Sequence, residues 1–217
     1  MKIVFSIGGS VIFPKEGSRA EEYKDVIKRL DGGHDIKIVV GGGWKAREVV
    51  AEARKKGLNE GKCDELAIGV TRKNAKRLIE ALGFGFKDVP LAIDEAASIK
   101  GLTIMGGTHI GHTTDAVAAM LAEYWDADLL VIGTNVDAVY GEDPDKNPDA
   151  KRFETMSAKE LVEITMKNVM RATSAGVVDP HAAKIIERSG IKTRVVDAGK
   201  PENLEKVITE NIGTEIN

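Results

Sequence analysis

The chain has 217 residues, 31 of them Lys or Arg and 34 Asp or Glu, giving a formal net charge of −3 and a sequence pI near 5.9. At 42% hydrophobic and 30% charged residues it can bury a full core of its own, which excludes a disordered chain, and no apolar run nears the ~20 residues of a membrane span. The near-neutral charge argues against nucleic-acid binding by bulk electrostatics. The N-terminal MKIVFSIGGS runs straight into a strand pattern without the apolar stretch and cleavage site of a secretory signal. A single cysteine, Cys63, cannot form an internal disulfide and suggests a reducing compartment. The expectation is a cytoplasmic protein with neither membrane nor nucleic acid as partner.

Short apolar runs alternate with longer amphipathic ones along the chain. Residues 2–7 predict a strand, 18–30 a helix with Tyr23, Ile27 and Leu30 on one face, 36–40 a second strand, and 44–56 a helix closed by Gly57. Residues 64–82 predict a helix containing Gly69, 91–93 a short strand, and 94–100 a short helix capped by Asp94. A strand over 102–105, an alanine-rich helix over 114–125 and a strand over 129–133 follow. The polar stretch 141–151, with two prolines, reads as a loop longer than the usual ~4–6 residues. Helices over 158–167 and 181–189, the latter entered through Pro180, a strand over 192–197 and a helix over 201–211 complete the pattern. This alternation predicts an α/β fold, a mainly parallel sheet covered by helices on both faces. We read it as one domain with two lobes, about 1–125 and 126–217, and a weak compositional boundary near 150.

Four predicted strands end in a related way. They run into Gly8-Gly9-Ser10, Gly41-Gly42-Gly43, Gly106-Gly107-Thr108-His109-Ile110-Gly111-His112-Thr113-Thr114-Asp115, and Gly133-Thr134-Asn135-Val136-Asp137. Ligands of open parallel sheets sit beyond the carboxyl ends of the strands. Glycine lets successive backbone N–H groups converge on an anion, and a following helix adds its positive dipole end. The first two loops are candidate cradles for one polyphosphate and the third for a second phosphate; alternatively each cluster is only a tight turn. The P-loop pattern is absent, since His112 stands where its lysine would be. Gly41, Gly43 and Ala46 match a dinucleotide fingerprint, but the ribose-binding acid about twenty residues on is misplaced. His109 and His112 lack the further ligands of a zinc site, and Cys63 has no catalytic partner in sequence. Asp137 and Asp143 follow the fourth strand with Tyr140 between them. Such carboxylates hold Mg²⁺ or orient phosphate-binding lysines; Asp143-Pro144 could equally open a turn. Two phosphate cradles on one sheet edge suggest phosphoryl transfer, which needs positioning and positive charge more than a nucleophile.

The order IGGS, GGGWKAR, GGTHIGHTTDA, TNVDAVYGEDP and VVDPHAAK resembles the amino-acid kinase superfamily and, within it, the archaeal type of uridylate kinases, over residues 2 to about 197. The resemblance implies a three-layer α/β/α sandwich, transfer of phosphate from ATP to UMP, Mg²⁺ carried by the ATP rather than bound directly by protein, and a homohexamer built from dimers. Matched position by position, it implies that Gly9, Ser10, Gly43, Arg47, Thr134, Asn135, Tyr140 and Asp143 contact ATP. It likewise implies that Gly42, Asp64 and the run Thr108, His109, Ile110, Gly111, His112, Thr113 and Thr114 hold UMP. Lys184 matches a helical lysine that approaches the transferring phosphate in related kinases, and Arg47, Lys184 and Asp137 form the expected catalytic set. The chain departs at Ser6, where much of the superfamily has a phosphate-neutralising lysine. Arg47, Lys45 and Lys184 are the candidates to replace it, Arg47 foremost. The alternatives are another acceptor on the same fold, such as isopentenyl phosphate or a small carboxylic acid, and non-catalytic binding of nucleotide or of molybdate-type oxyanions.

Overall fold

Strand β1 (Lys2–Ile7) runs through the middle of a seven-stranded sheet and sets its organisation. On one side it pairs in parallel with β2 (Asp35–Val40), which pairs with β3 (Thr103–Met105). On the other it pairs in parallel with β4 (Leu129–Thr134), then β8 (Thr193–Asp197). Beyond β8, β9 (Thr214–Ile216) is antiparallel, and β7 (Thr155–Met156) follows, giving the order β3-β2-β1-β4-β8-β9-β7. A separate hairpin joins β5 (Val139–Tyr140) to β6 (Arg152–Phe153) across the long polar loop. The structure, a computed structural model, describes residues 1–142, 144, 146–170 and 177–217.

Alternation along β1 distributes the core. Ile3, Phe5 and Ile7 point to one face with Tyr23, Ile27 and Leu30 of α2 (Ala20–Gly33), Leu78 and Leu82 of α4 (Glu60–Leu82), and Leu204 and Val207 of α9 (Asn203–Thr209). Val4 points to the other with Val39 and Leu130, under α6 (Thr114–Tyr124), α7 (Ala158–Met170) and α8 (Pro180–Ser189). These faces make the three-layer α/β/α sandwich. Each fully buried Ile or Leu contributes about 1.5–3 kcal/mol. Ala116, Ala118, Ala119 and Ala122 let α6 lie close on β1 and β2, where bulkier side chains would lift it away. Among the described residues no helix is long and apolar enough to cross a membrane.

Local chemistry explains most element ends. Asn59 caps α4 by accepting from the Lys62 amide at 3.0 Å. The helix α3 (Gly43–Lys55) stops before Gly57, whose amide turns back to the Arg54 carbonyl at 2.9 Å. Two expectations near residue 93 are corrected. Residues 91–93 form no strand, and the short helix α5 (Ile93–Ser98) begins at Ile93 with Asp94 inside its first turn. Among the described residues no side chain caps α5; Glu95 instead accepts from the Leu91 amide, just before the helix, at 2.8 Å. The last helix is also shorter than expected, because Pro201 and Glu202 form the turn that leads into α9.

Candidate active site

The strand order reverses between β1 and β4, and a cleft of about 530 Å³ opens there, beyond the carboxyl ends of β1, β2 and β4. Its floor is made by the first two glycine loops. Gly8 donates to the Gly133 carbonyl at 2.9 Å, and Gly41 to the Ile7 carbonyl at 2.9 Å, so the loops leave the sheet side by side. They then press together backbone to backbone. A Cβ on Gly9 would lie 2.2 Å from the Gly41 carbonyl oxygen, and one on Gly43, whose φ is +64°, would lie 2.4 Å from the Ser10 nitrogen. The glycines thus serve loop-to-loop contact as well as any close approach of a ligand. Gly9 opens the single turn α1 (Gly9–Ile12), and Gly43 opens α3. Ser10 joins them: its hydroxyl accepts from the Trp44 amide at 2.8 Å and from Arg47 Nη2 at 3.3 Å. From behind, Asn74 of α4 donates to the Gly41 carbonyl at 2.9 Å and the Gly42 carbonyl at 3.3 Å.

The third loop is held by α4 as well. Arg72 donates through Nε to the Gly107 carbonyl at 3.0 Å and through Nη2 to the Thr108 carbonyl at 2.9 Å. Thr71 accepts from the Gly107 amide at 2.7 Å. Asp64, one helical stretch earlier, accepts from the Gly111 amide at 2.8 Å. Thr113 caps α6, accepting from the Ala116 amide at 3.1 Å, and donates to Asp179. Asp179 in turn caps α8, accepting from the amides of His181 at 2.8 Å and Ala182 at 3.1 Å. Two helix N-termini therefore meet at one loop, a concentration of positive dipole ends. Two buried polar atoms here, Thr108 Oγ1 and His112 Nδ1, have no partner among the described residues; buried polar groups without partners are uncommon and mark places where a ligand or water completes the network. Burial, reinforced by His181 at 5.2 Å between ring centroids and by His109, keeps the pKa of His112 below the ordinary value.

A model of the amino acid kinase family matches residues 1–197. The chain belongs to that family. It is 54% identical over 215 residues to the uridylate kinase of Methanocaldococcus jannaschii, covering 95% of each chain. It is 50% identical over 222 residues to that of Methanococcus vannielii, covering 99% of this chain and 98% of the relative. The crystal structure of the Archaeoglobus fulgidus uridylate kinase superposes with a TM-score of 0.89 at 42% identity, with both chains fully covered.

Ser6 stands two positions before the Gly8-Gly9 pair, and the structure shows what surrounds it. Ser6 shares the sheet face of Val4, which brings it under the first turn of α6, and its hydroxyl donates to Asp115 Oδ1 at 2.6 Å. Among the described residues no lysine pairs with that carboxylate. Desolvation pushes the Asp115 pKa up to about 6, against the Ser6 hydrogen bond that lowers it and with Asp179 adding a further rise. Asp115 lines the cleft, as do Gly9, Ser10, Gly42, Gly43, Arg47, Thr114, Thr134 and Asn135.

Other expected residues lie elsewhere. Thr108, His109 and His112 border an adjoining apolar hollow of about 510 Å³ with Tyr124 and Arg188, and Ile110 is exposed. Asp137 lines a different cavity, of about 380 Å³, beyond β8 and β9. There it accepts from Tyr140 at 2.8 Å and from Arg152 Nε at 3.0 Å. Burial raises its pKa, but these two hydrogen bonds and the Arg152 charge outweigh it and leave the carboxyl below its usual value. Lys184 is exposed on α8 and paired with Glu187 at 2.7 Å, and Lys45 is paired with Glu48 at 2.5 Å. Asp143 lies outside the described residues. Sequence reasoning passed over Thr71, Arg72, Asn74 and Asp179, which hold the loops, and Asp115, which faces the cleft. Only the position of Asp115 next to the TT of the third motif hinted at it.

Proposed function

We propose that this chain transfers the γ-phosphoryl group of ATP to UMP, forming UDP and ADP. The observation that carries the proposal is the arrangement around the β1/β4 switch point. Two glycine loops joined through Ser10 and Arg47 form one anion cradle, and the Arg72-braced third loop, fed by two helix N-termini, forms another. The kinship with uridylate kinases of known name supports the choice of acceptor.

In this reading the lobe built on β2, α4 and the third loop takes UMP. Asp64, Gly42 and the run from Thr108 to Thr114 surround it, and the phosphate completes the bonding of Thr108 and His112. The lobe built on β4 and β8 takes ATP, whose phosphates lie over Gly9, Ser10 and Gly43 beside Arg47, Thr134 and Asn135. Tyr140 flanks its nucleoside end. An oxygen of the UMP phosphate attacks the γ-phosphorus, the bond to the β-phosphate oxygen breaks, and ADP leaves with that electron pair. The second pKa of a phosphate monoester is about 6, so the attacking oxygen is already anionic at neutral pH and no general base is needed. Arg47 neutralises charge on the transferring group. Mg²⁺ carried with the ATP would supply further charge neutralisation at the phosphates. Asp115, Thr134 and Asn135 line the cleft with oxygens that would ligate Mg²⁺ or accept hydrogen bonds from its waters, so the cleft suits the ion. From the same resemblance we propose that the chain works in the cytoplasm as a homohexamer.

ADP release with Mg-ATP, measured against UMP, CMP, isopentenyl phosphate and glutamate, tests the proposal. Turnover with UMP far above the rest is expected. Preference for isopentenyl phosphate or glutamate would replace the acceptor. No turnover, with molybdenum or tungsten in the purified protein, would replace the enzyme by an oxyanion binder.

A further inference from the structure

With Ser6 in place of a lysine, the floor of the cleft carries no cation of its own, and the described residues lining the cleft include two cationic side chains, Arg47 and Arg19. They come from different parts of the fold. Arg47 sits on α3, beside the second glycine loop. Arg19 sits just before α2 and donates from Nη2 to the Gly199 carbonyl at 2.8 Å, which ties it to the turn after β8. The two guanidinium groups therefore approach the β1/β4 boundary from the β2 side and from the β8 side.

Arg19 is pre-oriented. Its Nε and Nη2 edge holds Glu22 as a fork, at 3.0 Å and 2.7 Å to Oε2. That edge and the Gly199 bond fix the plane of the group, while Nη1 makes no hydrogen bond among the described residues. A guanidinium held along one edge with a free nitrogen beside a glycine-lined anion cradle is suited to a phosphate oxygen. Arg19 is also about one-third exposed, so the free edge is reachable from the cleft.

We propose that Arg19 binds the β- and γ-phosphates of the donor nucleotide through Nη1 and supplies, together with Arg47, the positive charge that the lysine position lacks in this chain. The proposal rests on the kinase reading above and deepens its donor site.

Calorimetry with three ligands tests it: the Mg²⁺ complex of the β,γ-imido analogue of ATP, AMP, and UMP. Arg19→Gln is expected to weaken the ATP analogue at least tenfold while leaving AMP and UMP within twofold of wild type. If that variant does not fold, Arg19→Lys is read the same way, with about threefold weakening expected for the ATP analogue alone. Unchanged binding of the ATP analogue overturns the proposal. Equal weakening of the analogue and of AMP also overturns it, since that pattern marks a merely structural arginine. A wild-type chain that binds no ATP analogue at all overturns the kinase reading, and this proposal with it, which separates the two failures.

Discussion

Gly9→Ala is the sharpest test of how the floor of the cleft is built. The added Cβ would lie 2.2 Å from the Gly41 carbonyl oxygen, 2.6 Å from the Gly41 carbonyl carbon and 2.7 Å from that of Gly42. Non-bonded heavy atoms settle at about 3.5 Å, so the two loops must part by about 1 Å, and the obstacle is backbone that cannot swing aside. Overpacking of this kind costs about 1–3 kcal/mol. For a chain of this size each kcal/mol is worth about 2–4 °C, so the melting temperature should fall by roughly 2–12 °C. A displacement near 1 Å at a reacting centre costs about a hundredfold in rate, and kcat for UMP should fall on that scale. Gly69→Ala is the internal control. Gly69 lies within α4, and a Cβ there meets nothing within 4 Å, so the helix should gain about 0.5–1 kcal/mol and activity should not change. Thermal unfolding by circular dichroism and coupled ADP release measure both variants. Lost activity alone would not decide, because a Cβ at Gly9 also intrudes on the cleft. A Gly9→Ala protein that melts with the wild type would show that the loops do not press together, and the reasoning would fail.

The remaining expectations follow from the same contacts. Asp115 titrates near pH 6 when folded and near 4 when unfolded, so between those values the native state holds more protons than the unfolded one, and stability declines as pH rises from about 4 to 6. The shift of about two units corresponds to a ceiling near 3 kcal/mol, so Asp115→Asn should raise the denaturant midpoint at pH 7.5, and the gain should vanish by pH 4; an equal gain at both would refute the assignment. Arg72→Ala removes both carbonyl contacts to the third loop, and the KM for UMP should rise about ten- to a hundredfold with that for ATP nearly unchanged. Arg47→Ala should lower kcat at least tenfold, whereas Lys184→Ala, from an exposed lysine already paired with Glu187, should stay within twofold; the reverse order in steady-state assays would reassign the catalytic cation.

The glycine loops were readable because each is local: a strand, a run of glycines, and a helix start are contiguous in sequence. What the loops touch was not. The contact of Gly9 with Gly41 depends on β1 and β2 being neighbours in register, Ile7 opposite Val40, and no single segment encodes that. The pair Ser6–Asp115 spans 109 positions, although the alternation of β1 already implied that Ser6 shares a face with Val4. The short strands β7 and β9 were missed for a different reason: two or three residues are too few to show a period of two. The stretch 91–93 failed in the opposite sense, an apolar trio whose first amide is bound by Glu95 and whose last residue already opens α5.

Charge is where linear reading and geometry part most clearly. Lys45 and Arg47 are two apart in one motif, and both are candidates, Arg47 foremost, for the charge of the lysine that the resemblance expects at Ser6. On a helix, positions two apart face different ways, and the structure resolves them by phase: Arg47 reaches Ser10 in the cleft, while Lys45 turns to Glu48. Lys184 is spent in the same manner, on Glu187 one turn along α8. Asp137 follows β4 by three residues, yet the chain there bends into the β5–β6 hairpin and carries the carboxylate to Arg152. Arg19 belongs to no motif at all and still borders the cleft, because α1 is a single turn and returns the chain to the strand ends before α2 begins. A position vacated in a strand can therefore be compensated from a loop, and the compensating residue is found by asking which cations the fold leaves with an unengaged edge.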